Sequence, residues 1–281
     1  MDITCAVFDA EGNTVAQAHH APILLTGFEI AMKSLVKRFS AKELEDGDVI
    51  ICNDPYMGGQ HVMDVLTMSP VIYKKKLVGF VGSIAHHSDM GGTAAGGVAG
   101  GMTEIFQEGL RLPMLKLYNK FKPNNDVFAI IKNNIRVPEK TIGDIQAQVS
   151  ANFVGIKRVK DLHEKYGMNT VKNSLKMLLN YSEKRIEEGL KKIPDNTYIG
   201  IDYVDDDGVS DNLIKIQVNI HKKGNKALVD FNGTSKQVAG NTNCPLATAY
   251  AAVYYAIICV VDPHVPPNSG CYRPIIIDAE E

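Results

Sequence analysis

Two short phrases, GGQHVMDV at 58–65 and AHHSDMGG at 85–92, gather side chains that bind metal ions. They contain His61, Asp64, His86, His87 and Asp89, and the glycine run GGTAAGGVAGG overlaps the second phrase. Three of the eight histidines of the chain lie in this stretch. Imidazole nitrogen and carboxylate oxygen together suit divalent metals in hydrolytic sites, where positions stay open for water and substrate. The phrases therefore predict a divalent metal site beside a glycine-rich loop.

Two strands must position these side chains. The segments VLTMSPVIY and LVGFVGSIAHH flank a lysine turn, which predicts an antiparallel hairpin whose open ends bring Asp64 and the paired histidines together. Successive strand residues face opposite sides, so only one of His86 and His87 can join the site, and the spacing does not say which. His61 and Asp64 are three residues apart and converge only on a turn, which the preceding glycines allow.

Other interpretations of the same residues are a catalytic His/Asp pair without metal and a polar turn next to a flexible connection. No GxSxG nucleophile elbow accompanies the histidines, which argues against a hydrolase triad. The glycine run lacks a GK[ST] ending, so it is not a Walker phosphate loop. We expect this run to act as a lid or as a set of backbone donors for an anionic group, or else as a plain connection.

Composition narrows the class of protein. The chain has 281 residues, 45% of them hydrophobic and 22% charged, with a net charge of −2, which is typical of a globular protein. No basic stripe interleaved with aromatic residues is present, so nucleic acid is not an expected partner. No apolar run reaches the length of a membrane span, and the N-terminus does not resemble a secretory signal. Five scattered cysteines without a CxxC pair predict reduced thiols and a cytoplasmic protein.

The periodicity of the chain predicts a mixed α+β fold with antiparallel-rich sheets, packed helices and two subdomains. Residues 1–190 form a metal-binding α/β domain with the glycine-rich loop and a helical segment, in which Pro138 interrupts the helical pattern and Asn169 caps a long final helix. Residues 191–281 form a smaller β-rich domain, where three antiparallel strands precede a buried helix at 245–261.

Two polar patterns lie outside the phrases. Asp144, Gln148 and Asn152 share one helix face at i, i+4 and i+8, and we expect an exposed stripe rather than the wall of a site. The segment DDDG at 205–208 resembles a cation loop, but it lacks the later glutamate of a calcium hand, so a turn is expected.

Taken together, the motifs resemble a known family. CAVFDAEGNTVAQAHHAP, DVIICNDPYMGGQHVMDV, VGFVGSIAHHSDMGG, EIFQEGLRLP, DYVDDDG, VDFNGTS and VDPHVPPNSGCYRP occur in the order seen in the hydantoinase B/oxoprolinase family. That family includes N-methylhydantoinase, 5-oxoprolinase and ketone carboxylases. The resemblance covers essentially the whole chain, and the combination of motifs is specific.

The resemblance implies a site and a partner. Family members work with a hydantoinase A-type subunit that uses ATP to phosphorylate the substrate oxygen, after which the B-type subunit acts at a divalent metal, here Zn, Mn or Fe. Carried over by motif, the metal ligands fall on His61, Asp64 and His86, with Asp2 as a fourth candidate. Asp89 is expected to accept a hydrogen bond from a metal-binding imidazole.

Glu108 and Arg111 follow the glycine run and complete the list of candidate catalytic residues. Arg111 is suited to holding phosphate or carboxylate through two hydrogen bonds, although a surface ion pair is the commoner role of such a residue. The expected reaction is ATP-dependent opening of a lactam or hydantoin ring. The alternatives are a ketone carboxylase subunit with the same ligands and a non-catalytic assembly subunit.

The chain also departs from the family pattern. Family chains are longer at both ends, and HAPILL stands where the family often has a second histidine after HIP. We therefore expect a split subunit or a fragment, in which a second chain supplies the terminal parts and contributes to a complete site.

Overall fold

A long antiparallel hairpin forms the centre of the structure, a computed structural model that describes residues 2–18 and 21–279. Its strands, β4 (Asp64–Tyr73) and β5 (Lys76–His86), pair from Asp64 opposite His86 to Tyr73 opposite Lys76. The first eight residues of β4 are all buried. Both faces of this strand are therefore covered, so the polar residues Thr67 and Ser69 are buried together with its apolar ones.

The hairpin belongs to a seven-stranded sheet in the order β2-β1-β5-β4-β3-β6-β7. The other strands are β1 (Ile3–Phe8), β2 (Thr14–Gln17), β3 (Val49–Cys52), β6 (Leu115–Asn119) and β7 (Lys122–Pro123). Every pairing in this sheet is antiparallel. The structure thus confirms the predicted hairpin around the lysine turn and the α+β class.

One face of this sheet is covered by α1 (Pro22–Arg38). Phe28, Met32 and Leu35 recur at helical spacing and are fully buried against the sheet. Phe8 and Phe28 meet edge to face with ring centroids 5.0 Å apart. This apolar layer lies on the opposite face of the sheet from the next two helices of the chain.

The other face is covered by α2 (Asn125–Asn134) and α3 (Pro138–Tyr166). The helical pattern is interrupted before Pro138, as predicted. Ile142, Ile145 and Val149 of α3 pack onto this second apolar layer. The expectation of an exposed polar stripe on α3 is wrong for Gln148 and Asn152, which are buried at 6% and 2% exposure. Both amides face the sheet and bond to it.

A second sheet follows α4 (Met168–Leu190) in the order β11-β10-β9-β8. Its strands are β8 (Asn196–Val204), β9 (Ile214–Lys223), β10 (Lys226–Asp230) and β11 (Ile275–Asp278). The first three are the predicted antiparallel strands, whereas β11 was not predicted and pairs with β10 in parallel. The expected Asn169 cap is also wrong, because Gly167 occupies the N-cap position of α4.

Helix α5 (Leu246–Val261) connects the two halves of the chain. It packs against α1, and Ala247, Ala251 and Val253 are buried. The helix is not buried all round as expected, because Tyr255 and Val260 are 54% and 75% exposed. The division near residue 190 stays a prediction. Among residues 2–18 and 21–279, no helix combines the length and apolar character needed to span a bilayer.

Asp230, the last residue of β10, gives the second sheet an acid-sensitive contact. Its carboxylate accepts hydrogen bonds from the Asn219 amide (2.8 Å), the Asn232 backbone N–H (2.9 Å) and the His221 ring (2.7 Å). These bonds lower the pKa of Asp230 to about 2. The stabilisation is therefore present above the unfolded pKa of about 4 and is lost as pH falls through about 2.

We expect Asp230→Asn to flatten the decline in melting temperature between about pH 4 and pH 2, because the variant no longer takes up this proton on unfolding. Thermal unfolding measured across pH 2–6 tests this. Asp161→Asn is the matched control, since Asp161 is an exposed aspartate on α3. A parallel pH profile for wild type and Asp230→Asn would contradict the prediction.

Candidate metal centre

The open end of the central hairpin brings the predicted ligands together. Asp64 begins β4, His86 ends β5, and the two residues are direct cross-strand partners. His61 lies on the turn that leads into β4, where the Asp64 backbone N–H bonds to the His61 carbonyl (3.0 Å). This turn needs Gly58, whose φ is +109° and whose Cβ would lie 2.3 Å from the backbone nitrogen of Ala31.

The three side chains converge. His61 Nδ1 lies 3.1 Å from Asp64 Oδ2, and His86 Nδ1 lies 3.3 Å from Asp64 Oδ1. One ligand atom from each residue lies within 4.8 Å of the others, and this is the sole group of three or more potential metal ligands within residues 2–18 and 21–279. The imidazoles are 44% and 34% exposed, whereas the Asp64 side chain is 1% exposed. The carboxylate is thus the base of the site, and the imidazoles form its open side.

Two buried atoms at this site, His61 Nδ1 and Asp64 Oδ2, lie 3.1 Å apart but form no hydrogen bond with each other or with any other described residue. Unpartnered polar atoms are rare in protein interiors and require an explanation. Imidazole nitrogen and carboxylate oxygen are both ligands of divalent cations, and one such atom from each of the three residues lies within 4.8 Å of the others. A divalent cation between these side chains fits the residues present.

Electrostatics distinguish the two neighbouring histidines. The hydrogen bond to Asp64 raises the pKa of His86. His87 points to the opposite side of the strand, is 1% exposed, and bonds through Nε2 to Gln148 Oε1 (3.0 Å). Burial lowers the pKa of His87, which favours a neutral ring. Only His86 therefore reaches the candidate site, as strand geometry requires.

Asp89 lies elsewhere than expected. Its carboxylate accepts bonds from the Arg136 guanidinium (2.9 Å) and from the backbone N–H groups of Arg136, Gly91 and Gly96 (3.0, 3.0 and 3.4 Å). No imidazole among the described residues bonds to it. Burial opposes ionisation, but these bonds outweigh it and lower the pKa of Asp89. The expectation that Asp89 accepts a hydrogen bond from a metal-binding imidazole is therefore wrong.

Arg136 holds the first part of the glycine run in place. Its guanidinium donates to the carbonyls of Gly91 (3.1 Å), Gly92 (2.6 Å) and Ala94 (3.3 Å) as well as to Asp89. Two of the amides offered as anion donors, those of Gly91 and Gly96, already bond to Asp89. The start of the glycine run is thus bonded to Arg136 and Asp89, and the amides of Gly91 and Gly96 donate to Asp89 rather than to an anionic group. The role of residues 91–101 as a lid stays a prediction. Nothing in the glycine pattern indicated this partner, which lies 47 residues after Asp89.

The remaining candidates, Glu108, Arg111 and Asp2, are not part of this group of ligands. Glu108 is half-buried, and burial raises the pKa of its carboxyl while the nearby His61 opposes that rise. Arg111 forms a long contact with Asp54 (3.8 Å) and lies over the ring of Phe106 (5.4 Å). The carboxylate of Asp2 is not among the grouped ligands, although its backbone carbonyl accepts the N–H of His86 (2.8 Å).

Other motifs are structural. The carboxylate of Asp207, in the DDDG segment, accepts the backbone N–H groups of Ser210 (2.6 Å), Val209 (2.9 Å) and Gly240 (3.2 Å), which confirms the predicted turn. His221 and Asp230 form a second His/Asp pair, but no third ligand joins them in the described part of the chain. All five cysteines are free thiols.

A model of the hydantoinase B/oxoprolinase family matches residues 1–281. The chain belongs to this family. It is 34% identical over 295 residues to the B-type subunit of a putative D-/L-hydantoinase of Pseudomonas sp. (strain NS671), covering 99% of this chain and 50% of that protein. It is 32% identical over 304 residues to 5-oxoprolinase 1 of Arabidopsis thaliana, covering 99% of this chain and 24% of that protein.

The fold of this hydantoinase B/oxoprolinase chain also matches a solved structure. The ATP-dependent caprolactamase from Pseudomonas jessenii superposes with a TM-score of 0.94 at 29% identity, covering 100% of this chain and 48% of that one. The family and the α+β fold inferred from the motifs are thus confirmed. The chain spans half the length of the hydantoinase subunit it matches, and less of 5-oxoprolinase 1.

Proposed function

We propose that this chain is the metal-binding part of an ATP-dependent amidohydrolase that opens a lactam or hydantoin ring. The convergence of His61, Asp64 and His86, with two buried ligand atoms left unpartnered, is the observation that carries the proposal. Family membership supports it, because the similar proteins include a hydantoinase subunit, a 5-oxoprolinase and an ATP-dependent caprolactamase.

The chemistry requires an activated ring, because an amide carbonyl is a poor electrophile. In the proposed sequence a hydantoinase A-type partner transfers the γ-phosphoryl group of ATP to the carbonyl oxygen. Water then adds to the ring carbon, the C–N bond breaks, and the nitrogen leaves with a proton. Hydrolysis of the resulting acyl phosphate releases phosphate. This chain supplies the site for the steps that use water.

The residues divide these tasks. His61, Asp64 and His86 hold the divalent cation, with Zn, Mn or Fe suiting the mixed nitrogen and oxygen ligands. When bound, the cation activates water near neutral pH and polarises the carbonyl group. Glu108 is assigned to accept the proton that the water loses, because burial raises the pKa of its carboxyl. Arg111 leaves its weak contact with Asp54 to hold the phosphate or a substrate carboxylate.

A reconstituted assay tests the reaction class. We expect the chain, purified with its partner and any further subunit, to hydrolyse ATP when lactams or hydantoins are added and to release the ring-opened amino acid. The measurement is ADP and product formation over a panel of lactams, hydantoins, and ketones with bicarbonate. Stimulation by ketones with bicarbonate but not by lactams would favour the carboxylase alternative.

Metal analysis separates the enzyme from an assembly subunit. The purified chain is expected to retain a divalent cation in about one-to-one ratio, since residues 2–18 and 21–279 hold one group of ligands. Absence of bound metal, together with full activity of a His61→Ala complex, would leave the non-catalytic role as the explanation.

A further inference from the structure

One amide side chain of α3 connects the two strand ends that carry the candidate ligands. Gln148 Nε2 donates to the backbone carbonyl of Val65 on β4 (2.9 Å) and to that of Ser83 on β5 (3.3 Å). Its Oε1 contacts the His87 ring (3.0 Å). The amide therefore bonds to the residue that follows Asp64. It also bonds to Ser83 and His87, which precede and follow His86 in the chain.

These contacts define the hydrogen positions. Both carbonyls are acceptors, so the amide nitrogen of Gln148 must face them and its oxygen must accept from His87. His87 Nε2 consequently carries the proton. Its Nδ1 is buried and has no partner among the described residues, which agrees with an unprotonated nitrogen. One tautomer of His87 is thus selected by Gln148.

The strand ends need this support because the sheet stops there. Backbone pairing of β4 with β3 ends at Leu66, opposite Cys52, so Asp64 and Val65 lack a neighbouring strand on that side. His87 adds a bond across the hairpin, from its backbone N–H to the Met63 carbonyl (2.8 Å). Met63, His87, Gln148 and Val65 therefore form a continuous hydrogen-bonded connection around the base of the site.

We propose that Gln148 is a positioning residue for the metal centre: through Val65, Ser83 and His87 it fixes the directions in which Asp64 and His86 project. This inference rests on the proposed metal site. Gln148 is buried and bonds to His87, Val65 and Ser83 rather than to a candidate ligand, so its role is to preorganise and not to take part in the reaction. Loss of a hydrogen-bonding group behind a metal ligand typically weakens metal binding about 10–100-fold.

Asn152, one turn further along α3, offers a matched control. It is as deeply buried as Gln148, at 2% against 6% exposure. Its amide donates to Thr67 Oγ1 (3.1 Å) and Ser69 Oγ (3.3 Å), which lie further along β4 from the ligands. Asn152→Leu and Gln148→Met each remove a buried amide and its bonds to the same strand. Only the second removes contacts at the ligand-bearing ends.

The test measures binding of Zn²⁺ and Mn²⁺ to wild type and both variants by competition with a chromophoric chelator, alongside melting temperatures. We expect Gln148→Met to weaken binding about 10–100-fold and Asn152→Leu to change it by less than about threefold, at comparable losses of melting temperature. Equal weakening in both variants would show a general effect of destabilisation and overturn the proposal. So would unchanged binding in Gln148→Met.

A second measurement on metal-free protein separates this proposal from the proposed function. In ¹⁵N spectra of the imidazoles, His87 should show the Nε2–H tautomer in wild type and Asn152→Leu, and lose it in Gln148→Met. The His61 and His86 signals should shift in Gln148→Met alone. If these changes occur but wild type binds neither cation, the proposed function fails and the positioning role stands. If Gln148→Met leaves all imidazole signals unchanged, the positioning role fails.

Discussion

Asp64→Asn should abolish tight binding of a divalent cation and lower ATP-dependent ring opening by more than about 100-fold, the upper range for losing a group behind a ligand. The carboxylate contacts both imidazole nitrogens, at 3.1 Å and 3.3 Å, and is almost fully buried. An amide keeps the shape but removes the negative charge and turns an N–H₂ group toward one imidazole. His61→Ala and His86→Ala should have the same direction of effect, because each removes one of three ligands.

Metal content after purification and a titration with Zn²⁺ or Mn²⁺ measure this effect. His221→Ala is the matched control, because His221 is equally exposed (43%) and also pairs with an aspartate, but has no third ligand among the described residues. It should leave metal binding unchanged. Equal loss of metal in the His221 and His61 variants, or retention of metal in Asp64→Asn, would contradict the assignment of the site.

Among the substitutions proposed for this chain, Asp89→Ala should lower stability most, by about 2–4 kcal/mol in the free energy of unfolding. The carboxylate is 4% exposed and bonds to the Arg136 guanidinium and to three backbone N–H groups. Its removal leaves buried donors unpaired and takes away the carboxylate that holds Arg136 beside the glycine run. Because Arg136 is itself 42% exposed and regains solvation, the loss should be smaller than for a fully buried ion pair.

Urea unfolding measures this loss, and hydrogen exchange should show faster opening of residues 91–97 in the variant. Asp46→Ala is the control: Asp46 bonds to Lys160 at 2.8 Å, but its side chain is 41% exposed, so about 1 kcal/mol or less is expected. Similar losses in the two variants, or unchanged exchange in the glycine run, would show that Asp89 does not anchor this segment.

Much of the fold followed from local patterns. The alternating and apolar runs around the lysine turn predicted the hairpin of β4 and β5, and Pro138 correctly marked the start of α3. The burial of an amide on α3 could have been predicted from the spacing of the helix, although not from the polarity of the residue. Ile145, Val149, Asn152 and Ile156 follow the helical spacing of a core stripe, so Asn152 occupies an apolar position in the pattern. Polarity suggested exposure, whereas position in the stripe indicated burial.

Other elements depended on contacts distant in sequence. β11 joins β10 in parallel, a pairing that neither strand's own periodicity specifies. The outward face of α5 was mispredicted because a uniformly apolar helix does not reveal which side meets α1. Such pairings are decided by how the chain closes over long separations, which local spacing does not encode.

The candidate site shows the same division. The sequence by itself determined that His61 and Asp64 share a turn at the start of a strand, and that one histidine of the pair 86–87 faces them, because side-chain direction along a strand has period two. Only the tertiary structure decided that Asp89 pairs with Arg136 and that Gln148 occupies the far side of His87. Those contacts join segments 47 and 61 residues apart, so they exist only once the helices have packed on the sheet.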